Sequence, residues 1–188
     1  MPSFDVDAAL RWARFDPRRR LRRRSDGDLP FVDGRFLVGS ALLLDTCVYI
    51  DQMQDRSPAI IDQLLDFRSA NHSTVAIQEL MHTAGVLDPD DSRTPAAVEA
   101  IRKVIRAMPA HRVHAPDADI LVRAALLAGI VCRLQGYAGG AKRRALQDSM
   151  LFLQGQRLGL AILTANIRDF DCLLQLVPVG RVLFYRRA

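Results

Sequence analysis

Leu42-Leu43-Leu44-Asp45-Thr46, preceded by Ala41, is an apolar run that stops at a carboxylate. Apolar residues in sequence, without alternation, mark a strand buried on both faces, as at the centre of a parallel sheet. Asp45 then falls where the strand ends, on the edge at which open α/β sheets bind their ligands. An ion beside an apolar run needs a partner, a metal or water. Two readings fit it: Asp45 caps the helix expected from Cys47-Val48-Tyr49, a position that Asp favours, or it belongs to a site. The rest of the chain has to decide.

Strand and helix patterns alternate downstream. Ser57-Pro58 reads as an N-cap and first helical residue, with Ile60, Ile61, Leu64 and Leu65 following at helical spacing. Thr74-Val75-Ala76-Ile77 reads as a short strand that runs into a helix at Gln78-Glu79-Leu80-Met81, which Gly85 is placed to end. Thr94-Pro95 opens a helix carrying Val98, Ile101, Val104 and Ile105, and Arg112-Val113-His114 is a brief strand. Pro116 starts a long helix that stops at Gly136, and Gly139-Gly140 separates it from another covering Arg143 to Gln156. Leu160-Ala161-Ile162-Leu163 is a second buried strand closed by Thr164, and Val182-Leu183-Phe184 is the last. Short apolar strands alternating with helices predict an α/β sandwich with a mostly parallel sheet flanked by helices.

Residues 1–40 read differently and form a basic extension ahead of the domain at 41–188. Phe4, Ala8, Trp12 and Phe15 recur at helical spacing, so a short amphipathic helix is expected, closed by Pro17. Arg18, Arg19, Arg20, Arg22, Arg23 and Arg24, interrupted only by Leu21, then make a dense positive block. Such a block is either a solvated tail or an arm that neutralises phosphates. Beyond it, Phe31-Val32 and Phe36-Leu37-Val38 flank Asp33-Gly34, a candidate hairpin turn.

With 188 residues, 49% hydrophobic and a mean hydropathy of +0.04, the chain suits one domain with a full core. No apolar run reaches the length of a membrane span, and the early acids Asp5, Asp7 and Asp16 argue against a leader. Cys47, Cys132 and Cys172 are too scattered for a disulfide framework or zinc ribbon, which suits a cytoplasmic location. The net charge is +5 and Lys occurs only at Lys103 and Lys142. Arginine enrichment fits bidentate phosphate binding, although genome composition alone also produces it.

Four places put a polar group where a strand meets a helix or on a helix facing the sheet. Asp45 follows the first strand, Glu79 follows Thr74–Ile77, Asp148 lies between Ala145-Leu146 and Met150-Leu151, and Thr164, Asn166 and Asp169 follow Leu160–Leu163. In a parallel sheet these groups converge on one edge. Converging carboxylates repel and raise one another's pKa unless a cation is present, and hard oxygen donors select Mg²⁺ or Mn²⁺. Such a centre activates water for attack on a phosphodiester, which suits a basic protein. Asp117 and Asp119 also catch the eye, but at a helix start they read as cap and dipole partners. His111 and His114 straddle a loop and strand, where that spacing does not bring two side chains to one face.

Leu43-Leu44-Asp45-Thr46, Thr74 with Gln78-Glu79-Leu80, Gln147-Asp148-Ser149-Met150, and Thr164-Ala165-Asn166-Ile167-Arg168-Asp169-Phe170 together resemble the PIN-domain ribonucleases. Within that group the chain is most similar to the VapC toxins of bacterial toxin–antitoxin pairs. The resemblance covers residues 41–184 and implies a PIN-like three-layer sandwich. It also implies a Mg²⁺- or Mn²⁺-dependent endoribonuclease with Asp45, Glu79 and Asp148 as catalytic and metal-binding acids. Asn166 and Asp169 fall in the segment that supplies the fourth metal-binding group, and Asn166 stands where many members carry an acid. Thr46 and Thr164 join the arm arginines as expected RNA contacts. The partners implied are RNA and a cognate antitoxin, with homodimerisation a further expectation and no membrane association. Tyr49, Ile50 and Met53 either pack in the core or offer a groove to that antitoxin. A haloacid-dehalogenase-like phosphatase is rejected because Cys47 occupies the position of its second Asp. A catalytically silent PIN-like module that binds RNA or a partner is the alternative reading.

Overall fold

A computed structural model describes residues 4–14 and 20–188. Phe15 and Pro17, expected at the end of the first helix, and Arg18 and Arg19 of the arm lie outside the described residues. The strands are β1 (Leu42–Leu44), β2 (Ala70–Ser73), β3 (Val113–His114), β4 (Ala161–Thr164) and β5 (Val182–Phe184). They form a five-stranded sheet in the order β3-β2-β1-β4-β5, and every pairing among them is parallel. Chain order reverses between β1 and β4, so the switch point lies between the two strands that end in Asp45 and Thr164.

Alternation along the strands divides the core into two layers, as side chains of a pleated strand point to opposite faces. Leu43, Ile162, Val182 and Phe184 pack beneath α6 (Ala118–Gln135), α7 (Gly140–Leu158) and α8 (Ile167–Leu176). Leu42, Leu44, Ala161, Leu163 and Leu183 pack on the other face. There they meet α2 (Thr46–Met53), α3 (Ala59–Phe67), α4 (Thr74–Val86) and Ile101 of α5 (Thr94–Arg106). The three-layer sandwich and parallel sheet are as expected from the sequence. Tyr49 is buried in the core, while Ile50 and Met53 pack partly buried against the same cluster and Ile50 also lines a cavity at the sheet edge.

Several local expectations are corrected. Thr74–Ile77 is the first turn of α4, and the strand is the preceding Ala70–Ser73. Ser73 fixes that boundary, because its Oγ accepts from Val75 N at 3.0 Å as an N-cap. Gly85 lies inside α4 rather than ending it. The cap of α3 is Pro58, not Ser57, and no side chain completes it. No hairpin forms at Asp33-Gly34: Asp33 caps a 3-10 turn over Gly34–Phe36, and Phe31 bridges Phe184 in parallel. Val32 N donates to Phe184 O at 2.8 Å, so this segment extends the β5 edge. The N-terminal helix is a single turn, α1 (Val6–Leu10), which tightens into a 3-10 turn over Arg11–Arg14.

Gly155 explains how closely α7 lies on the sheet. A Cβ there would stand 2.8 Å from Ile162 Cγ1 of β4. Asp148 precedes it by two helical turns, on the same face, so this close approach also brings Asp148 to the sheet edge. No helix among the described residues is long and apolar enough to cross a membrane.

Candidate active site

A cavity of about 720 Å³ opens at the carboxyl ends of β1 and β4, and Asp45, Glu79, Asp148, Asn166 and Asp169 all line it. Four different elements deliver them. Asp45 is both things its position suggested: it caps α2, its Oδ1 accepting from Thr46 N at 2.7 Å, and its Oδ2 faces the neighbouring strand. There Thr164 Oγ1 donates to it at 2.5 Å and the Cys47 thiol at 3.0 Å. Thr164 Oγ1 in turn accepts from Asn166 N at 2.8 Å, which ties the β4–α8 turn to Asp45. Glu79 projects from the second turn of α4 and accepts a hydrogen bond from the Thr46 hydroxyl.

Asn166 caps α8, its Oδ1 accepting from Asp169 N at 3.5 Å. Its amide Nδ2 points the other way, donating to Asp148 Oδ2 at 3.1 Å and to Asp169 Oδ2 at 3.2 Å. Asn166 therefore presents a donor, not an oxygen, to the acids, and of the two candidates for the fourth ligand Asp169 carries the available charge. The Tyr137 hydroxyl donates to the other oxygen of Asp169.

Electrostatically the acids are under strain. Burial first, then repulsion from Asp45, Asp169 and Glu79, holds the Asp148 carboxyl well above the ordinary carboxylate range, and Arg144 offsets only part. Burial likewise raises Asp45, against hydrogen bonds from Thr164, Cys47 and Thr46. Glu79 is raised by burial and by Asp45, against the Thr46 hydroxyl, Arg143 and His82. The neighbouring Cys47 thiol is pushed well up by burial and by Asp45, so it stays protonated and donates. A buried carboxylate whose hydrogen bond comes from a neutral amide, as at Asp148, is the environment a cation relieves. The donor set, hard oxygens with mutual repulsion, fits Mg²⁺ or Mn²⁺. Among the described residues no three His, Cys, Asp or Glu side chains are placed to hold a metal ion together, and Asp45, Glu79 and Asp148 each accept from a hydroxyl or amide donor.

The expected RNA contacts divide. Thr164 is fully buried with its hydroxyl on Asp45 and does not line the cavity, whereas Thr46, its hydroxyl on Glu79, does line it. Of the arm, Arg23 reaches the cavity rim. The sequence reading missed Arg143, Arg144 and Arg168, which also line it. Arg144 precedes Asp148 by one helical turn, a spacing that places both on one face. Arg187 lines the cavity too, held at 2.8 Å by the fully buried carboxylate of Asp51. Asp51 also accepts from Arg56 at 2.9 Å and from the Tyr185 hydroxyl at 2.8 Å, which fastens the C-terminal segment to α2. Asp117 and Asp119 lie away from the cavity: Asp117 caps α6 by accepting from Ile120 N at 2.8 Å, and Asp119 pairs with Arg123 at 2.9 Å. His111 sits in a 3-10 turn and His114 Nε2 bonds Asn71 Oδ1 at 3.0 Å, so the pair forms no joint site.

No protein-family model and no curated protein matches the chain. Solved structures do. A chain of VapBC2 from Rickettsia felis, bound to a DNA fragment from its promoter, superposes with a TM-score of 0.52 at 11% identity, over 77% of this chain and 98% of that one. DNA-bound VapBC from Salmonella typhimurium gives a TM-score of 0.52 at 17% identity, over 77% and 97%. FitAcB from Neisseria gonorrhoeae gives 0.52 at 15%, over 76% and 96%. Identities this low speak for architecture alone. The chain has the fold found in the VapBC and FitAcB complexes, the PIN-like fold expected from its strand-end motifs.

Proposed function

We propose that the protein is a divalent-metal-dependent endoribonuclease and the toxin of a toxin–antitoxin pair. The observation that carries the reading is the gathering of Asp45, Glu79 and Asp148 in one cavity at the sheet's switch point, each with a raised pKa. Asp45, Glu79, Asp148 and Asp169 would hold Mg²⁺ or Mn²⁺. When bound, such an ion lowers the pKa of water and stabilises the oxygen that leaves a phosphodiester. The chain's own groups do the rest. Thr164 and Cys47 fix Oδ2 of Asp45, Thr46 fixes Glu79, and Asn166 holds Asp148 and Asp169 in register. Arg143, Arg144 and Arg168 on the same cavity suit the non-bridging oxygens of the substrate phosphate. The depth of Asp45 and Asp148, both buried, favours a flexible single strand over a rigid duplex.

The toxin assignment rests on the strand-end motifs and on a fold shared with chains that are named in complexes with DNA. Its partner would be an antitoxin protein encoded beside it. Expressed alone, the protein should arrest growth, and coexpression with the adjacent gene product should relieve the arrest. Asp45→Asn should be harmless in both settings, whereas Asp117→Asn should still arrest. Soluble, folded wild-type protein that is harmless at high level would remove the toxin reading and favour a housekeeping nuclease or a silent RNA-binding module.

A further inference from the structure

The described part of the N-terminal arm is not a solvated tail. Gln135 Nε2 of α6 donates to Leu21 O at 3.2 Å, and Gln175 Nε2 of α8 donates to Arg22 O at 3.0 Å. Arg24 N donates to Asp171 Oδ2 at 2.8 Å, and its Nε pairs with Asp171 Oδ1 at 2.6 Å. The Asp171 side chain is 0% exposed, so this pair anchors the arm in the body of the fold. Leu21 packs against the core cluster beneath. Main chain held at three successive places, with an apolar contact between, is a built strap.

The strap walls a second cleft of about 830 Å³, and the guanidiniums on it are Arg20, Arg22, Arg23 and Arg168. Asp171 is the acid on that lining, and Arg24 already neutralises it. The basic groups are available for exchange. Arg23 pairs with Asp26, half of whose side chain is exposed, an arrangement that contributes little. Arg20 Nε donates to the neutral Gln135 Oε1 at 3.4 Å, and Arg168 lies 5.8 Å from the centre of the Tyr137 ring. Arg23 and Arg168 line this cleft and the acid cavity alike, so the two adjoin at these side chains.

We infer that the strap cleft is an extended phosphate-binding subsite, holding the single-stranded RNA that leads away from the phosphodiester in the acid cavity. The inference rests on the proposed nuclease reading and adds to it a path for the strand. Guanidiniums spaced along a groove track a flexible backbone without reading its sequence. Each phosphate they neutralise releases counterions, which gives the subsite a measurable signature.

The test uses the full chain carrying Asp148→Asn, so that RNA is bound and not cut, with single-stranded RNAs of increasing length. Affinity should rise with length once the strand reaches beyond the acid cavity. Arg20→Ala with Arg22→Ala should shrink that rise and flatten the dependence of log affinity on log salt by about 0.7 for each phosphate no longer neutralised. Arg102→Ala with Arg106→Ala removes the same charge from exposed positions on α5 and should change neither. Unchanged length and salt dependence in the arm variant, or an equal loss in the α5 variant, overturns the subsite. Since no cleavage is involved, a wild type that cuts RNA with arm-independent binding sinks only the subsite. Arm-dependent binding by a wild type that does not cut sinks only the nuclease.

Discussion

Asn166 Nδ2 stands 3.1 Å from Asp148 Oδ2, so the residue that caps α8 also braces the carboxylate of α7. One side chain thereby sets the start of a helix and the spacing of two acids, since Asp169 accepts from the same amide. A neutral donor orients a buried carboxylate without cancelling its charge. That leaves the repulsion among Asp148, Asp45, Asp169 and Glu79 in place for a cation to relieve.

Asp148 should therefore cost stability at neutral pH. Its folded pKa is raised above the ordinary 3.8, so between those values the folded state binds more protons than the unfolded one. Stability then falls as pH rises through that window, and the whole penalty is present above it. Asp148→Asn should raise the melting temperature at neutral pH without metal, by about 2–4 °C for each 1 kcal/mol relieved. The gain should vanish as pH drops toward 3.8. Added Mg²⁺ should raise the melting temperature of the wild type more than that of the variant. Thermal scans across pH check this, and an Asp148→Asn protein less stable than wild type at neutral pH would contradict it.

Asp51→Asn should loosen the C-terminal segment. The fully buried carboxylate holds Arg56, Tyr185 and Arg187 together. Hydrogen bonds to a charged group contribute about 1.5–3 kcal/mol, so a loss of that order is expected in urea unfolding. Arg187 would also leave its fixed place on the cavity rim. Amide exchange at residues 185–188 should accelerate well before that of the sheet, and uniform exchange would refute the arrangement.

Gly155→Ala should disturb the acid cavity from a distance. Its new methyl meets Ile162 at 2.8 Å, and overpacking of this kind costs about 1–3 kcal/mol. Relief requires α7 to lift from β4 or Ile162 to repack. If α7 lifts, RNA cleavage should fall with no change to any cavity residue, while Gly85→Ala, with open space around it, should leave both stability and cleavage close to wild type.

What the sequence revealed follows from where the information lies. β1 and β4 were legible because apolar runs that end in Asp45 and Thr164 carry their own signal. β2 was misplaced by its chemistry. Ala70-Asn71-His72-Ser73 is polar for a central strand because its side chains bond across the fold. His72 Nδ1 bonds the Tyr49 hydroxyl at 2.8 Å, and Ser73 Oγ donates to Gln154 Oε1 at 2.5 Å. The β-branched Thr74 and Val75 next to it look more strand-like, yet the Ser73 cap makes them helical. Phe31 and Val32 lacked any local cue, since their partner Phe184 lies at the far end of the chain. Asp51 was invisible for the same reason: Tyr185 and Arg187 bind it across almost the whole domain. Arg144 had a cue, one helical turn before Asp148, that periodicity alone could not separate from a solvated surface.

The ends left on cleaved RNA test the central claim most directly. Wild-type protein incubated with single-stranded RNA in Mg²⁺ should produce fragments with a 5′-phosphate, the product when metal-activated water attacks and the 3′ oxygen leaves. Chelator should stop the reaction, and Asp148→Asn should abolish it in a protein that remains folded. Fragments ending in a 2′,3′-cyclic phosphate, or cleavage that survives both chelator and Asp148→Asn, would contradict the account.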